Sequence, residues 1–321
     1  MAQIDDNGAI INQGDLGAIE TEPFTDVFVF SHGWWTSADS AATEYATFVR
    51  GCDACLNALR ATLPMPRDDQ LLPIGIVWPS MVPAVLGPFR NFFEAFSYTD
   101  MRSRAELVAK TAGASLLRRV WAVGQNRPLR IHVLGHSMGC RIACQALETA
   151  LLADSRPKDP SDPASAPLVR VLSNIRLNVV LFQGAIDNNT MERVQKYGIL
   201  SAIEGLRVLV TRSDLDGILA TYPSDDLVHP AMGAKGPTIA TFTDSFSHFF
   251  DQLGAVGVAR GFKYADVARR KETFIVADLT QLHKTDRQQN PGAWGGIGGN
   301  HSDIFSPEVY ELTAGFLFPT S

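Results

Sequence analysis

Gly135-His136-Ser137-Met138-Gly139 has the residue types and spacing for nucleophilic chemistry. An apolar run, Leu129 to Leu134, leads into it, and a helix-patterned stretch, Arg141 to Glu148, leaves it. Strand, Gly-x-Ser-x-Gly, helix is the context in which a serine sits on a sharp, strained turn with its Oγ clear of the backbone. The two glycines are needed because the turn brings strand and helix too close for a Cβ. A serine hydroxyl is a weak nucleophile. It needs a base within hydrogen-bond reach, and the base needs an acid that fixes its tautomer. The oxyanion formed on attack needs two backbone N–H donors. The chemistry to look for is therefore acyl transfer.

Such a site must be held at the ends of strands. Asp26 to Phe30 reads as a buried strand that ends in Ser31-His32-Gly33-Trp34-Trp35. A helix is expected from about Asp39 to Leu63, stopped by Pro64. Ile74 to Trp78 reads as a second buried strand, closed by Pro79-Ser80. After the elbow strand come Leu177 to Phe182, Leu206 to Val210 and Thr273 to Ala277. Helices are expected from Thr99 to about Gly124, from the elbow to about Asp154, and briefly near residues 190–204. The last helix should be capped by Ser306, with Pro307 at its first position and Val309, Leu312 and Phe316 on its apolar face. Asp6-Asn7-Gly8 suggests an early hairpin. Unalternated apolar strands separated by helices predict an α/β fold, a mostly parallel central sheet covered on both faces. Right-handed crossovers then bring every strand's C-terminal end to one edge, where ligands bind.

The elbow, the His32-Gly33 turn, an Asp after the Leu206 to Val210 strand and a late His before the last helix together resemble an α/β-hydrolase-fold serine hydrolase. The likeness runs from about Asp26 to the C-terminus. The Trp78-Pro79-Ser80 turn and the helix start at Asp100 look, more loosely, like a branch of uncharacterised bacterial α/β hydrolases. The resemblance implies the chain order Ser, then Asp or Glu, then His. Ser137 is then the nucleophile. For the acid, Asp216 matches the family pattern of Asp, a small residue and two aliphatics (Asp216-Gly217-Ile218-Leu219), with Asp214 and Asp187 as alternatives. For the base, His301 is favoured over His283, because Asn300-His301-Ser302-Asp303 precedes the capped final helix. His132 reads as core, and His32 as a brace for the loop that carries the oxyanion donor.

The oxyanion donors implied are the N–H groups of Met138 and Trp34. Gly33, Trp35 and His136 are assigned to the substrate-binding surface, His136 with its side chain turned away from Ser137. No metal or organic cofactor is required by this chemistry. The missing His-Gly-Gly-Gly sequence sets the chain apart from that lipase and esterase branch. The implied function is hydrolysis of carboxylic esters of modest size through an acyl-enzyme. Lipase, thioesterase, amidase and cofactor-free peroxidase chemistry use the same three residues, and a catalytically dead binding module uses the same fold.

The 321 residues are 45% hydrophobic, enough for a sizeable core, and are read as one α/β-hydrolase domain without a large cap. Residues 81–98 and 220–272 are insertions expected to form a pocket wall or lid, the first around Phe89, Phe92, Phe93 and Phe96, the second around Phe242, Phe246, Phe249 and Phe250. The net charge of −6, with no basic run, fits neither nucleic acid nor an anionic membrane as partner, leaving a small-molecule ester. The acidic N-terminus lacks the basic and apolar regions of a secretion signal, no apolar stretch reaches membrane-spanning length, and the expected location is the cytoplasm. Cys52 with Cys55 and Cys140 with Cys144 have a spacing that invites a zinc site, but their helices belong on opposite faces of the sheet. Buried, reduced cysteines are the reading.

Overall fold

The computed structural model describes residues 1–34, 36–61, 70–81, 90–125, 127–155, 174–191, 195–198, 200, 203, 205–221, 229–237, 274–280, 301 and 303–318. Seven strands form one sheet in the order β1-β3-β2-β4-β5-β6-β7. They are β1 (Ala2–Gln3), β2 (Asp26–Ser31), β3 (Leu71–Val77), β4 (Leu129–His136), β5 (Ile175–Phe182), β6 (Arg207–Arg212) and β7 (Phe274–Asp278). Every pairing among them is parallel. Pro73 is accommodated inside β3 because β1 pairs only with Ile76 and Val77, so β3 is an edge at that point.

Alternation along the strands sorts side chains into two cores. Val27 and Val29 face one cluster with Val133, Leu177 and Val179. Phe28 and Phe30 face the other with Leu134, Val180 and Phe182. The first cluster is covered by α3 (Arg90–Val108), α4 (Ala114–Gly124) and α5 (Gly139–Ser155). The second is covered by α2 (Ala38–Arg60) and a C-terminal helix, α8 (Pro307–Leu317). The described residues also include the short helices α1 (Ala18–Thr21), α6 (Gly217–Thr221) and α7 (Met232–Lys235). The two cysteine pairs accordingly lie on opposite faces, and all four thiols are free. Burial raises the pKa of Cys52, Cys140 and Cys144, which keeps them as thiols.

Two helices differ in extent from expectation. The helix expected from Thr99 begins at Arg90, so residues 90–98 are its first turns. It continues through a π-helical stretch, Ala109–Gly113, into α4. The short helix expected near 190–204 is, among the described residues there, reduced to 3-10 geometry at Gly198 and Leu200, whose N–H groups donate to the Gln195 and Tyr197 carbonyls. It is preceded by turns closed by Thr190 N–H to the Asp187 carbonyl and Tyr197 N–H to the Thr190 carbonyl. The early hairpin is a tight turn with Gly8 at φ 78° and an antiparallel bridge between Ile4 and Ile10. Ser306 caps α8 by accepting from Val309 N–H at 3.4 Å, and Val309, Leu312 and Phe316 are fully buried.

Sheet order explains how the loops meet. The chain leaves β2 toward β3 on one side and reaches β4 on the other. The crevice between β2 and β4 is the switch point of the sheet, where loops diverge to opposite faces and leave room for a ligand. Ser31 pairs with Gly135, so both strands finish at the same level. The loop after β2 and the turn after β4 therefore open side by side. No described helix is long and apolar enough to cross a membrane.

Candidate active site

Ser137 stands on the turn between β4 and α5 with φ 54°, in the left-handed region that side chains rarely adopt. The surroundings over-determine this conformation. Its N–H donates to the Phe182 carbonyl at 3.0 Å, and its carbonyl accepts from Cys140 N–H and Ala185 N–H, each at 3.1 Å. A Cβ at Gly139 would stand 2.1 Å from the Ser31 carbonyl oxygen, and one at Gly135 would stand 2.4 Å from the Gly139 carbonyl oxygen. Both positions exclude any larger residue, as the elbow spacing requires.

Asp216 follows β6 and immediately precedes α6. It is fully buried, and its carboxylate is divided between two tasks. One oxygen accepts from Leu219 N–H at 3.0 Å, capping α6. The other lies 2.7 Å from His301 Nδ1. Asp214, two residues earlier, turns outward: its side chain is 43% exposed and pairs with Arg212 and Lys235, each at 3.2 Å. Its slight burial acts to raise its pKa, but Lys235 and Arg212 outweigh this and hold it below the ordinary carboxylate value. Asp187 lies in the turn after β5, with its main chain bridged to Ala231. Of the three sequence candidates, Asp216 is the one that meets His301. His283 lies outside the described residues.

His301 is buried, and its orientation is fixed twice: through Nδ1 by Asp216, and at its carbonyl by His136 Nε2 at 2.7 Å. The two imidazoles lie 5.0 Å apart. Burial, reinforced by the neighbouring His301, pushes the His136 pKa down to about 3, so its ring is neutral and donates from Nε2. His136, assigned from sequence to the substrate surface, is thus turned into the protein, where it ties the elbow to the histidine loop.

Gly33 packs on the elbow: a Cβ there would stand 3.0 Å from Ser137 Cβ and 3.3 Å from His136 Nδ1. This close approach puts the main chain of Gly33 beside His136 and Ser137. Trp34 makes an edge-to-face contact with Tyr98, with centroids 5.7 Å apart. Trp35, Phe89, Phe242, Phe246, Phe249, Phe250 and the glycine run before His301 lie outside the described residues, as do the side chains of Phe92, Phe93 and Phe96. Most of residues 220–272 is outside them too.

The supporting roles of Arg141 and Asp26 escaped the sequence reading, while those of His32 and His132 did not. Arg141, fully buried one turn into α5, donates to the Ala185 carbonyl at 3.1 Å and to Glu106 at 3.3 Å. It thereby holds the loop whose Ala185 N–H grips Ser137. His32 does brace its loop: Nδ1–H donates to the Gly33 carbonyl at 2.8 Å, while Nε2 accepts from Trp78 N–H at 3.2 Å. Burial pushes its pKa down to about 4, against the bond to Gly33. His132 is core, 2.9 Å from both Asp26 and Asn178. Burial pushes the Asp26 carboxyl up, but His132 and Arg130 outweigh it and bring the pKa to about 2. Spacing alone marks Arg141, four residues after Ser137. Nothing local marks Asp26, which meets His132 only because β2 lies beside β4.

No curated protein matches the chain. A solved structure, LpqC, the poly(3-hydroxybutyrate) depolymerase from Bordetella parapertussis, is similar over 92% of this chain and 79% of its own, at 10% identity and a TM-score of 0.36. The family model described as "Alpha/beta hydrolase of unknown function (DUF900)" matches residues 11–216, a span that holds Ser137 and ends on Asp216. That match takes in well over half of the chain, and the protein belongs to this α/β-hydrolase family.

Proposed function

We propose that the protein is a serine hydrolase that cleaves small carboxylic esters through an acyl-enzyme. The observation that carries the reading is the 2.7 Å contact between His301 Nδ1 and buried Asp216, in a hydrolase fold whose Ser137 is held at φ 54°. Asp216 keeps the Nδ1–H tautomer, which leaves the Nε2 lone pair to take the Ser137 proton as Oγ attacks the ester carbonyl. The main-chain N–H groups of Trp34 and Met138 then hold the oxyanion. Collapse of the tetrahedral intermediate breaks the bond to the alkoxy oxygen, which takes the proton from His301. A water, deprotonated by the same Nε2, attacks the acyl-enzyme and releases the acid. The full burial of Asp216 favours this division of labour, since its charge is compensated by His301 and by the α6 cap. The partner is then a small-molecule ester, with no cofactor needed for the bond changes described.

A panel of p-nitrophenyl esters from acetate to long acyl chains, run on the wild type and Ser137→Ala, tests this reading. Turnover on the shorter esters that disappears in Ser137→Ala is expected. Turnover that survives the substitution refutes the assignment of Ser137. A rate that climbs steadily with chain length and jumps at a lipid interface refutes the modest substrate size.

A further inference from the structure

Main-chain pairing between β2 and β3 stops at Ser31 and Ile76, yet the two chains stay joined beyond that point. Four hydrogen bonds continue the contact through side chains. Trp78 N–H donates to His32 Nε2 at 3.2 Å, and the Trp78 indole N–H donates back to the His32 carbonyl at 3.0 Å. Thr36 N–H donates to Ser80 Oγ at 3.1 Å, and the Ser80 hydroxyl donates back to the Thr36 carbonyl at 2.8 Å. The His32 and Trp78 rings are stacked, 5.5 Å apart and 13° from parallel. Tyr45, from α2, closes the root of the loop, accepting from His32 N–H at 3.0 Å and donating to the Ile76 carbonyl at 2.6 Å.

Three residues separate the two clasps in sequence: Gly33, Trp34 and Trp35. Trp34, whose N–H is assigned to the oxyanion, stands among them. Reciprocal bonds at His32, two residues before Trp34, and at Thr36, two residues after it, restrict how the Trp34 amide can turn. Ser80 is fully buried and makes two bonds to one distant residue, Thr36. A hydroxyl has one proton, and here that proton and one lone pair are both used on the loop. Nothing in the acyl-transfer chemistry calls on Ser80, Trp78 or Thr36, so the clasps have no other task in the mechanism above.

We propose that Ser80 and Trp78 are positioning residues for the oxyanion hole, fixing the direction of the Trp34 N–H so that it meets charge that develops only in the transition state. The proposal rests on the serine-hydrolase reading of Ser137. It predicts an effect on kcat in preference to KM, because a ground-state carbonyl relies on this donor far less than the oxyanion does.

The test compares wild type, Ser80→Ala and Trp78→Phe on one p-nitrophenyl ester. Ser80→Ala removes both bonds to Thr36. Trp78→Phe removes the indole N–H to His32 and keeps an aromatic ring. Outright loss of an oxyanion donor costs about 10²- to 10³-fold in kcat, so a loosened one should cost about 10-fold. The expected result is that drop in kcat with KM within about twofold. Affinity for an alkyl boronic acid, which forms a tetrahedral adduct on serine, should fall by the same factor as kcat/KM, while affinity for the product carboxylate stays unchanged. Circular dichroism and thermal melting report the folded fraction, and rates are referred to folded protein. Unchanged kcat in both variants overturns the proposal, as does a loss confined to KM or one that vanishes when referred to folded protein. Ser137→Ala separates the two claims. Wild-type turnover that depends on Ser137 but is untouched in both clasp variants removes only the positioning role. Absent or Ser137-independent turnover removes the hydrolase reading and this inference with it.

Discussion

Replacing Asp216 by Asn isolates what its carboxylate does. In the structure one oxygen caps α6 through Leu219 N–H at 3.0 Å and the other meets His301 Nδ1 at 2.7 Å. Asn keeps a carbonyl oxygen for the cap but offers an NH2 where the second oxygen stood. That amide turns Nδ1 into an acceptor, so the ring proton moves to Nε2 and no lone pair faces Ser137. A tautomer error of this kind costs about 10⁴-fold in kcat, or ~5.5 kcal/mol at ~1.36 kcal/mol per factor of ten. Stability should barely change, because the cap survives. Asp216→Ala also loses the cap, worth ~1 kcal/mol, and should melt about 2–4 °C lower as well as being inactive. Asp214→Asn, at a residue 43% exposed and paired with Lys235 and Arg212, should stay within about twofold of wild type. Initial rates on a p-nitrophenyl ester, with melting curves for each variant, measure all of this. Asp216→Asn retaining more than about a tenth of the activity, or Asp214→Asn falling as far, would refute the reasoning.

Three further outcomes follow from the same geometry. His32, with a folded pKa of about 4, and His136, at about 3, are neutral in the native protein, while unfolded histidine titrates near 6.5. Below pH 6.5 the unfolded chain takes up protons that the native one refuses, so stability is full above 6.5 and drains as pH falls through the folded values. His32 alone accounts for ~3 kcal/mol between pH 6.5 and 4; a urea midpoint constant from pH 7 to 4 would contradict this. Gly139→Ala drives a Cβ to 2.1 Å from the Ser31 carbonyl oxygen and should destabilise by on the order of 3 kcal/mol, read as loss of soluble yield or a lower melting temperature. Arg141→Met leaves the Ala185 carbonyl without its donor, but Glu106 keeps Lys196 at 2.5 Å, so the cost should be only ~1–3 kcal/mol by chemical denaturation.

The legible parts of this chain are those where local geometry dictates sequence. The elbow shows because its two glycines answer to steric contacts a few residues away, and the central strands show because burial on both faces makes them uniformly apolar. Sequence favours Asp216 over Asp214 only through the family pattern of Asp, a small residue and two aliphatics, and it leaves Asp214 open; the helix that Asp216 caps shows only in the structure. The first turns of α3 were hidden: Pro83, Pro88 and the phenylalanines around residue 93 masked the helical pattern, although no breaker stands between Arg90 and Tyr98. The clasps between the β2 loop and Trp78-Ser80 could not be read at all. They join residues 44 and 46 positions apart, and only the parallel register of β2 with β3 brings them together. The same holds for Asp26 and His132, 106 positions apart on neighbouring strands.

The central claim is that Ser137 is a nucleophile activated by His301. Treating the folded protein with a fluorophosphonate and mapping the adduct by mass spectrometry tests it most directly, since covalent capture does not depend on knowing the natural ester. The account predicts a single adduct on Ser137, absent in Ser137→Ala and formed far more slowly in His301→Ala. No adduct on folded protein, or labelling undiminished in Ser137→Ala, would contradict it.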